Sequence, residues 1–217
     1  MTCATRLGNT DRTVSPAAAI VSRMATDLNP EEIPALWCRM WNEDASLAHR
    51  LLTADGRQWS GTKPGLDPLI GPADAEAFIA KYQREVGNKF VPRTFVIDGT
   101  DRLAFTWDVT RRDGVVITGA DLFVLTGGKV SRNWTIPSPD GRSELADGPG
   151  AGDLDREELR VLAKDAHPWH GELVLDPVRQ TIAGTWSDGE RGGIAVLVAV
   201  DGRVDREWVV PGTRPLP

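Results

Sequence analysis

Apolar positions change their period about 90 residues into the chain. Asn29-Pro30-Glu31-Glu32 carries a capping side chain, a proline suited to a first turn and two acids at the positive end of a helix dipole. After it, Ile33, Leu36, Trp37, Met40 and Trp41 recur at helical spacing, which predicts a helix to about Trp41 with one buried stripe. A short helix is expected over about 45–52, stopping near Asp55-Gly56. A third is expected over 73–86, with Phe78, Ile79 and Tyr82 inward and Gly87 at its end. From Arg93 the pattern becomes that of strands: 93–98, 102–110, 115–126 and 129–136. Asp113-Gly114 and Gly127-Gly128 lie between β-branched and aromatic runs, so a meander is predicted.

Residues 138–153 hold Pro139, Gly141, Gly148, Pro149, Gly150 and Gly152 and read as a linker. Beyond it a helix is expected over about 154–166 and strands over 172–176, 180–187 and 193–208, the last broken by a turn at Asp201-Gly202. Here the sequence repeats itself. Thr106-Trp107 reappears as Thr185-Trp186. The frame from Gly128 to Pro137 (Gly-Lys-Val-Ser-Arg-Asn-Trp-Thr-Ile-Pro) reappears from Gly202 to Pro211 (Gly-Arg-Val-Asp-Arg-Glu-Trp-Val-Val-Pro). The organisation expected is therefore a mobile leader over 1–25, with Met24 as an internal start, a domain over 26–140, a linker over 141–153, and a partial second repeat over 154–217. A truncated copy of this kind is expected to pack on the outer face of the first sheet, as an internal pseudo-dimer; pairing of two chains stays open.

Two-residue turns fix register, and register decides which side chains share a face. With Gly127-Gly128 as one loop, Phe123 faces Arg132 and Asp121 faces Trp134. With Asp113-Gly114 as the other, Asp108 faces Gly119 and Thr106 faces Asp121. Asp121, Asp108, Arg132, Trp134, Phe123 and Thr106 are then expected on one face. Two carboxylates and a guanidinium on an apolar patch form either a simple ion pair or an acid/base group in which the carboxyls differ in acidity. The second copy lacks the acids: Ala195 stands at the position of Asp121 and Ser187 at that of Asp108.

Composition narrows the choices. A charged fraction of 26% with 41% hydrophobic residues fits a globular protein. The longest apolar run, Ile194 to Val200, is far short of a membrane span of ~20 residues. A net charge of −6 with scattered arginines disfavours nucleic acid. Cys3 and Cys38 are the only cysteines, too few for a disulfide framework or a cysteine metal cage, and no secretory leader is evident, so a cytoplasmic location is expected. His167-Pro168-Trp169-His170 reads as a loop with a stacked indole rather than a metal site, and His49 as a surface or packed histidine. Of the 8 tryptophans, Trp37, Trp41, Trp59 and Trp134, together with Tyr82, are candidates to line an apolar cavity.

Residues 28–138 resemble the nuclear-transport-factor-2-like superfamily, most closely its SnoaL-like polyketide cyclase branch. The resemblance rests on the stretch from Trp41 through Trp59, on Gly119-Ala120-Asp121-Leu122-Phe123, on Gly128-Lys129-Val130, and on Trp134. It implies an α+β cone: a curved antiparallel sheet with N-terminal helices around one apolar pocket, and no cofactor. It also implies an acid/base role for Asp121, which matches the family's Gly-x-Asp strand. Epoxide-opening members use an Asp, Arg, Asp group, for which Asp108, Arg132 and Asp121 supply the residue types. Two departures stand out: Ser60 follows Trp59 where a histidine is often found, and the oxyanion tyrosine of the steroid isomerases is not evident. The expected function is a cofactor-independent enzyme acting on a hydrophobic small molecule (cyclase, isomerase or epoxide-opening hydrolase), with a noncatalytic ligand-binding or pseudo-dimeric structural protein as the alternative.

Overall fold

The structure is a computed structural model that describes residues 28–138, 141–142, 148–171 and 173–217. The leader expected over 1–25, part of the linker and the start of the strand expected at Glu172 lie outside these residues. Asn29 caps the first turn as expected, its side-chain oxygen accepting from the Glu31 N–H at 3.1 Å. Helix α1 (Ile33–Asn42) follows and buries Ile33, Trp37, Cys38 and Met40. A short α2 (Ala48–Leu51) leads directly into strand β1 (Leu52–Ser60), and α3 (Gly71–Glu85) buries Ala75 and Ile79. The period of apolar residues did not give β1: Ala54, Asp55 and Arg57 are exposed on this edge strand, so no alternation survives to be read.

Strands β2 (Lys89–Asp98), β3 (Arg102–Thr110), β4 (Val116–Thr126) and β5 (Lys129–Pro137) complete a five-stranded sheet in the order β1-β5-β4-β3-β2. Only the β1–β5 pair is parallel. The helices cover one face, where Trp37, Met40, Leu51 and Ile79 meet Leu103, Phe105, Val109 and Phe123. The α+β class expected from the sequence is thus the one observed. No helix among the described residues is long and apolar enough to cross a membrane.

The register differs from expectation in both hairpins, for identifiable reasons. Between β3 and β4 the Arg111 N–H donates to the Val115 carbonyl at 2.9 Å, leaving the three residues Arg112-Asp113-Gly114 as the loop, with Gly114 at φ +83°. One residue more than a two-residue turn shifts the pairing to Asp108↔Thr118 and Phe105↔Asp121. Between β4 and β5 the Gly127-Gly128 loop is as expected, with Thr126 opposite Lys129. Ser131 is then extruded as a bulge, and above it Val124 pairs with Arg132 and Asp121 with Thr135. Because side chains alternate along a strand, each one-residue slip moves a set of side chains to the other face.

Residues 148–217 supply α4 (Arg156–Ala163), capped by a reciprocal Asp155/Glu158 box, and strands β6 (Val174–Asp176), β7 (Thr181–Ser187), β8 (Gly192–Val200) and β9 (Arg203–Pro211). They form an antiparallel sheet in the order β6-β7-β8-β9. Its outward face packs on that of the first sheet: Val96, Ala104, Ala120, Leu122 and Ile136 meet Val174, Ala183, Ile194, Val196, Trp208 and Val210. On the other face α4 lies directly on Leu175, Ile182, Leu197 and Ala199 through Leu159 and Ala163.

Candidate functional site

The helix-covered face of the first sheet is not filled. A cavity of about 660 Å³ opens between it and the helices, within the range of small-molecule pockets. Its walls are aromatic: Trp37 and Trp41 from α1, Phe78 and Tyr82 from α3, Phe90 from β2 and Trp107 from β3. Trp41 makes edge contacts with Tyr82 and Phe78 at centroid distances of 5.3 and 6.2 Å, and Phe90 meets Trp107 at 5.3 Å. These packed pairs hold the rings against collapse into the void.

Asp121 lies at the floor. It is 2% exposed and lines the cavity with Asn133, Thr135 and Cys38. Burial raises its pKa from the ordinary carboxylate range to about 7, against the opposing influence of Thr135, Trp107, Trp37 and Asn133, which favour the charged form. No cation pairs with it among the described residues. Its Oδ1, the Trp107 indole N–H and the Asn133 Oδ1 are all buried without a hydrogen-bond partner. Buried orphans of this kind are uncommon, and here three of them line one cavity.

Glycine 119 explains how the indole comes to lie there. It stands opposite Trp107 in the β3–β4 register, and a Cβ at that position would overlap the Trp107 ring. Its absence lets the indole lie across β4, two residues from Asp121. The Cys38 thiol is pushed up mainly by burial and secondarily by the Asp121 charge, so it stays protonated. The Tyr82 hydroxyl accepts from the Asn88 side chain at 2.8 Å, and burial raises its pKa. Lys63 and Arg111 are the cations among the lining residues, both solvent-exposed.

Of the expected catalytic group, only Asp121 faces the cavity. Asp108 points to the opposite face, where its Oδ1 accepts from Arg93 Nη1 at 3.1 Å and the Thr118 hydroxyl at 2.7 Å, and its Oδ2 from Arg142 Nε at 3.1 Å. Arg132 is exposed on that outer face, in a smaller depression with Arg57, Trp59 and Trp134. The expected shared face for the two acids and the guanidinium is therefore corrected: one extra loop residue and one bulge separate them. Among the expected ligand contacts, Trp37, Trp41 and Tyr82 line the cavity. Phe123 faces the same way but is wholly buried beneath Trp37, at 4.7 Å between ring centroids. Thr106 points outward and accepts from the Thr94 N–H at 3.1 Å; Trp59 is in the apolar seam between the sheets, with Trp134 packed against it.

Trp107, Asn133, Thr135 and Cys38 escaped the sequence reading. The first three would have followed from the correct register, since Asn133 and Thr135 alternate with Trp134 and the small Gly119 marks a place where a ring needs room. The stacked indole expected beside His167 and the surface position expected for His49 are both present. His167 pairs with Glu207 and stacks edge-on with Trp169 at 5.1 Å, and His49 contacts Glu76 at 2.9 Å at the surface. No group of three metal-ligating side chains occurs among the described residues.

No family model matches the chain, and no curated protein matches it. Solved structures do. An assigned isomerase of the SnoaL-like family from Agrobacterium tumefaciens is 22% identical, with 50% of this chain and 96% of that one covered and a TM-score of 0.41. An assigned polyketide cyclase from Acidithiobacillus ferrooxidans is 16% identical over 52% of this chain and 89% of its own, with a TM-score of 0.45. An NTF2-like protein of unknown function from Cytophaga hutchinsonii is 14% identical over 54% and 96%, with a TM-score of 0.41.

Proposed function

We propose that the chain is a cofactor-independent enzyme that moves a proton on a hydrophobic, ring-bearing small molecule, with Asp121 as the acid/base group. The observation that carries this reading is a buried carboxyl, unpaired by any cation among the described residues, at the floor of an aromatic cavity. A pKa of about 7 leaves both protonation states populated near neutral pH, the condition under which one carboxyl both takes up and returns a proton efficiently. The Trp107 indole N–H, unpartnered beside it, supplies a donor for a substrate oxygen that gains negative charge as the proton leaves. The aromatic walls exclude water and orient a flat apolar molecule over the acid.

Proton-shuttling chemistry of the cyclase or isomerase kind needs only this one acid. Epoxide opening by an Asp, Arg, Asp group loses its support, because Asp108 and Arg132 face the other side of the sheet. A ligand-binding protein without turnover is the second reading, favoured by the lack, among the described residues, of a second ionised group beside Asp121 at the cavity floor: burial keeps Cys38 protonated.

The test is deuterium incorporation at the α-carbon of an aromatic ketone such as 2-tetralone, followed by NMR in D2O. The parent should accelerate exchange above buffer and Asp121→Asn should lose that acceleration. Equal exchange by the two proteins, with the ketone still bound by both, would favour the binding reading.

A further inference from the structure

The two sheets agree in more than sequence. In the first, Trp107 stands opposite Gly119, which stands opposite Pro137. In the second, Trp186 stands opposite Gly193, and Gly193 opposite Pro211. A Cβ at either glycine would strike the facing indole. Both last hairpins slip register at the equivalent place, after Val124 in one and after Val198 in the other. The equivalence extends to the first strand of each set, where Val96 and Asp98 correspond to Val174 and Asp176 through the pairings Val96↔Ala104 and Val174↔Ala183. A shared bulge and a shared Trp-Gly-Pro row are not demanded by sheet formation; duplication of one unit explains them together.

The faces that meet are also equivalent. Leu122 and Val196, and Ile136 and Val210, occupy matching registers, and each pair contributes both members to the apolar seam. Equivalent patches packed on each other are what a two-fold pair of identical subunits presents. The matched aspartates reach across it: Asp176 Oδ2 accepts the Ile97 N–H at 2.9 Å, and Asp98 takes Arg156 Nε and Nη2 at 2.9 and 2.8 Å. The second unit, however, keeps neither the acid nor the open space beneath its helix. Asp121 is replaced by Ala195, and α4 with Trp169 and Leu173 fills its helix-covered face.

What the second unit still does is visible at its end. The Thr213 N–H donates to the Gly61 carbonyl at 2.7 Å, while the Gly61 N–H donates to Thr135 at 2.9 Å. Arg214 pairs with Asp67 and lies over the Trp59 ring at 5.1 Å. The segment so gripped, 60–66, contributes Ser60, Thr62, Lys63, Gly65 and Leu66 to the cavity wall. We propose that residues 148–217 are a degenerate second copy that serves as a built-in partner, with Thr213 and Arg214 as positioning residues that hold the loop at the mouth of the first copy's cavity. That the held loop borders a working site rests on the reading of Asp121 above; the grip itself does not.

The experiment is amide hydrogen exchange on the full chain, with 8-anilinonaphthalene-1-sulfonate as a probe of the cavity. Two variants weaken the grip by different routes. Arg214→Ala removes the pair with Asp67. Gly212→Ala places a Cβ against the Gly192 and Gly61 carbonyls and wedges the end of the chain away. Each should raise exchange at 61–66 by about tenfold and weaken probe binding severalfold, with β3 and β4 unchanged, because loops open locally at far lower cost than core strands. Arg214→Lys should restore part of the protection. Unchanged exchange at 61–66 in both variants, or a rise shared equally by the whole chain, would overturn the proposal. Asp121→Asn should leave loop exchange at the parent level, so failure of the acid/base reading and failure of the grip are told apart.

Discussion

The two sheets carry the same row of tryptophan, glycine and proline, yet only one has a carboxyl at the matching floor position. In the first, helices α1 and α3 stand off far enough to leave a cavity, and Asp121 is buried at its base. In the second, a single eight-residue helix lies directly on the strands and the matching residue is Ala195, wholly buried. The difference shows what a buried carboxyl requires. Removing an unpaired charge from water is costly, so such a group persists where open space and nearby donors let it change protonation state instead. A filled face offers neither, and alanine stands there.

The largest effect should come from removing the acid. Asp121→Asn keeps the shape and hydrogen-bonding atoms of the side chain but cannot accept the proton, and proton transfer is expected to fall by roughly 10²- to 10⁴-fold with ligand affinity kept within a few-fold. Steady-state turnover and ligand titration, run side by side, check this.

The reciprocal substitution, Ala195→Asp, puts a carboxyl at a wholly buried position of the second sheet. It should destabilise the chain by about 3 kcal/mol or more at pH 8, in line with other unpaired buried charges. Denaturant unfolding gives the answer, and a loss under ~1 kcal/mol would mean the second face is more accommodating than its packing indicates.

A third comparison uses the matched indoles Trp134 and Trp208. Trp208 is 4% exposed in the seam, whereas Trp134 is only partly buried. Trp208→Ala is therefore expected to cost about 3–5 kcal/mol and Trp134→Ala clearly less. Equal losses would contradict the unequal burial of the two copies. The smallest effect belongs to Asp108→Asn, which breaks the partly buried pair with Arg93. It should cost on the order of 1 kcal/mol and leave the pH profile of any activity unmoved.

The sequence carried most of the elements. The stripe at Ile33, Trp37 and Met40, the Asn29 cap, and the strands around Gly127-Gly128 all announce themselves through local rules that the tertiary fold does not override. The edge strand β1 does not, because its exposed polar residues obey no period. Asp121 was legible as a candidate, and so were Trp37, Trp41 and Tyr82 on helix stripes. Its supposed partners were not, for a specific reason. A three-residue loop and a two-residue loop leave nearly the same trace around an Asp-Gly pair, and the bulge at Ser131 has no signature at all. Each changes register by one and so exchanges faces. Two-residue turns alone therefore put Asp108 and Arg132 on the side of Asp121, where the actual register puts Trp107 and Asn133. The second copy contained a usable warning: Trp208 persists where the acids do not, which is what a residue serving the apolar seam, rather than chemistry, would do.

The acidity of Asp121 also has a consequence for stability. A carboxyl with a folded-state pKa of about 7 binds protons more tightly folded than unfolded, so its own contribution to stability is fully present below the unfolded value near 4 and is lost as pH rises through 7. The loss over that window is on the order of 4 kcal/mol, and Asp121→Asn should be free of it. The most direct test is therefore to titrate the Asp121 side-chain carboxyl by ¹³C NMR, using Asp121→Asn to assign its resonance. The account predicts a midpoint close to 7; a midpoint near 4 would show an ordinary solvated carboxylate and contradict the claim that the cavity floor holds a group able to take and return a proton at neutral pH.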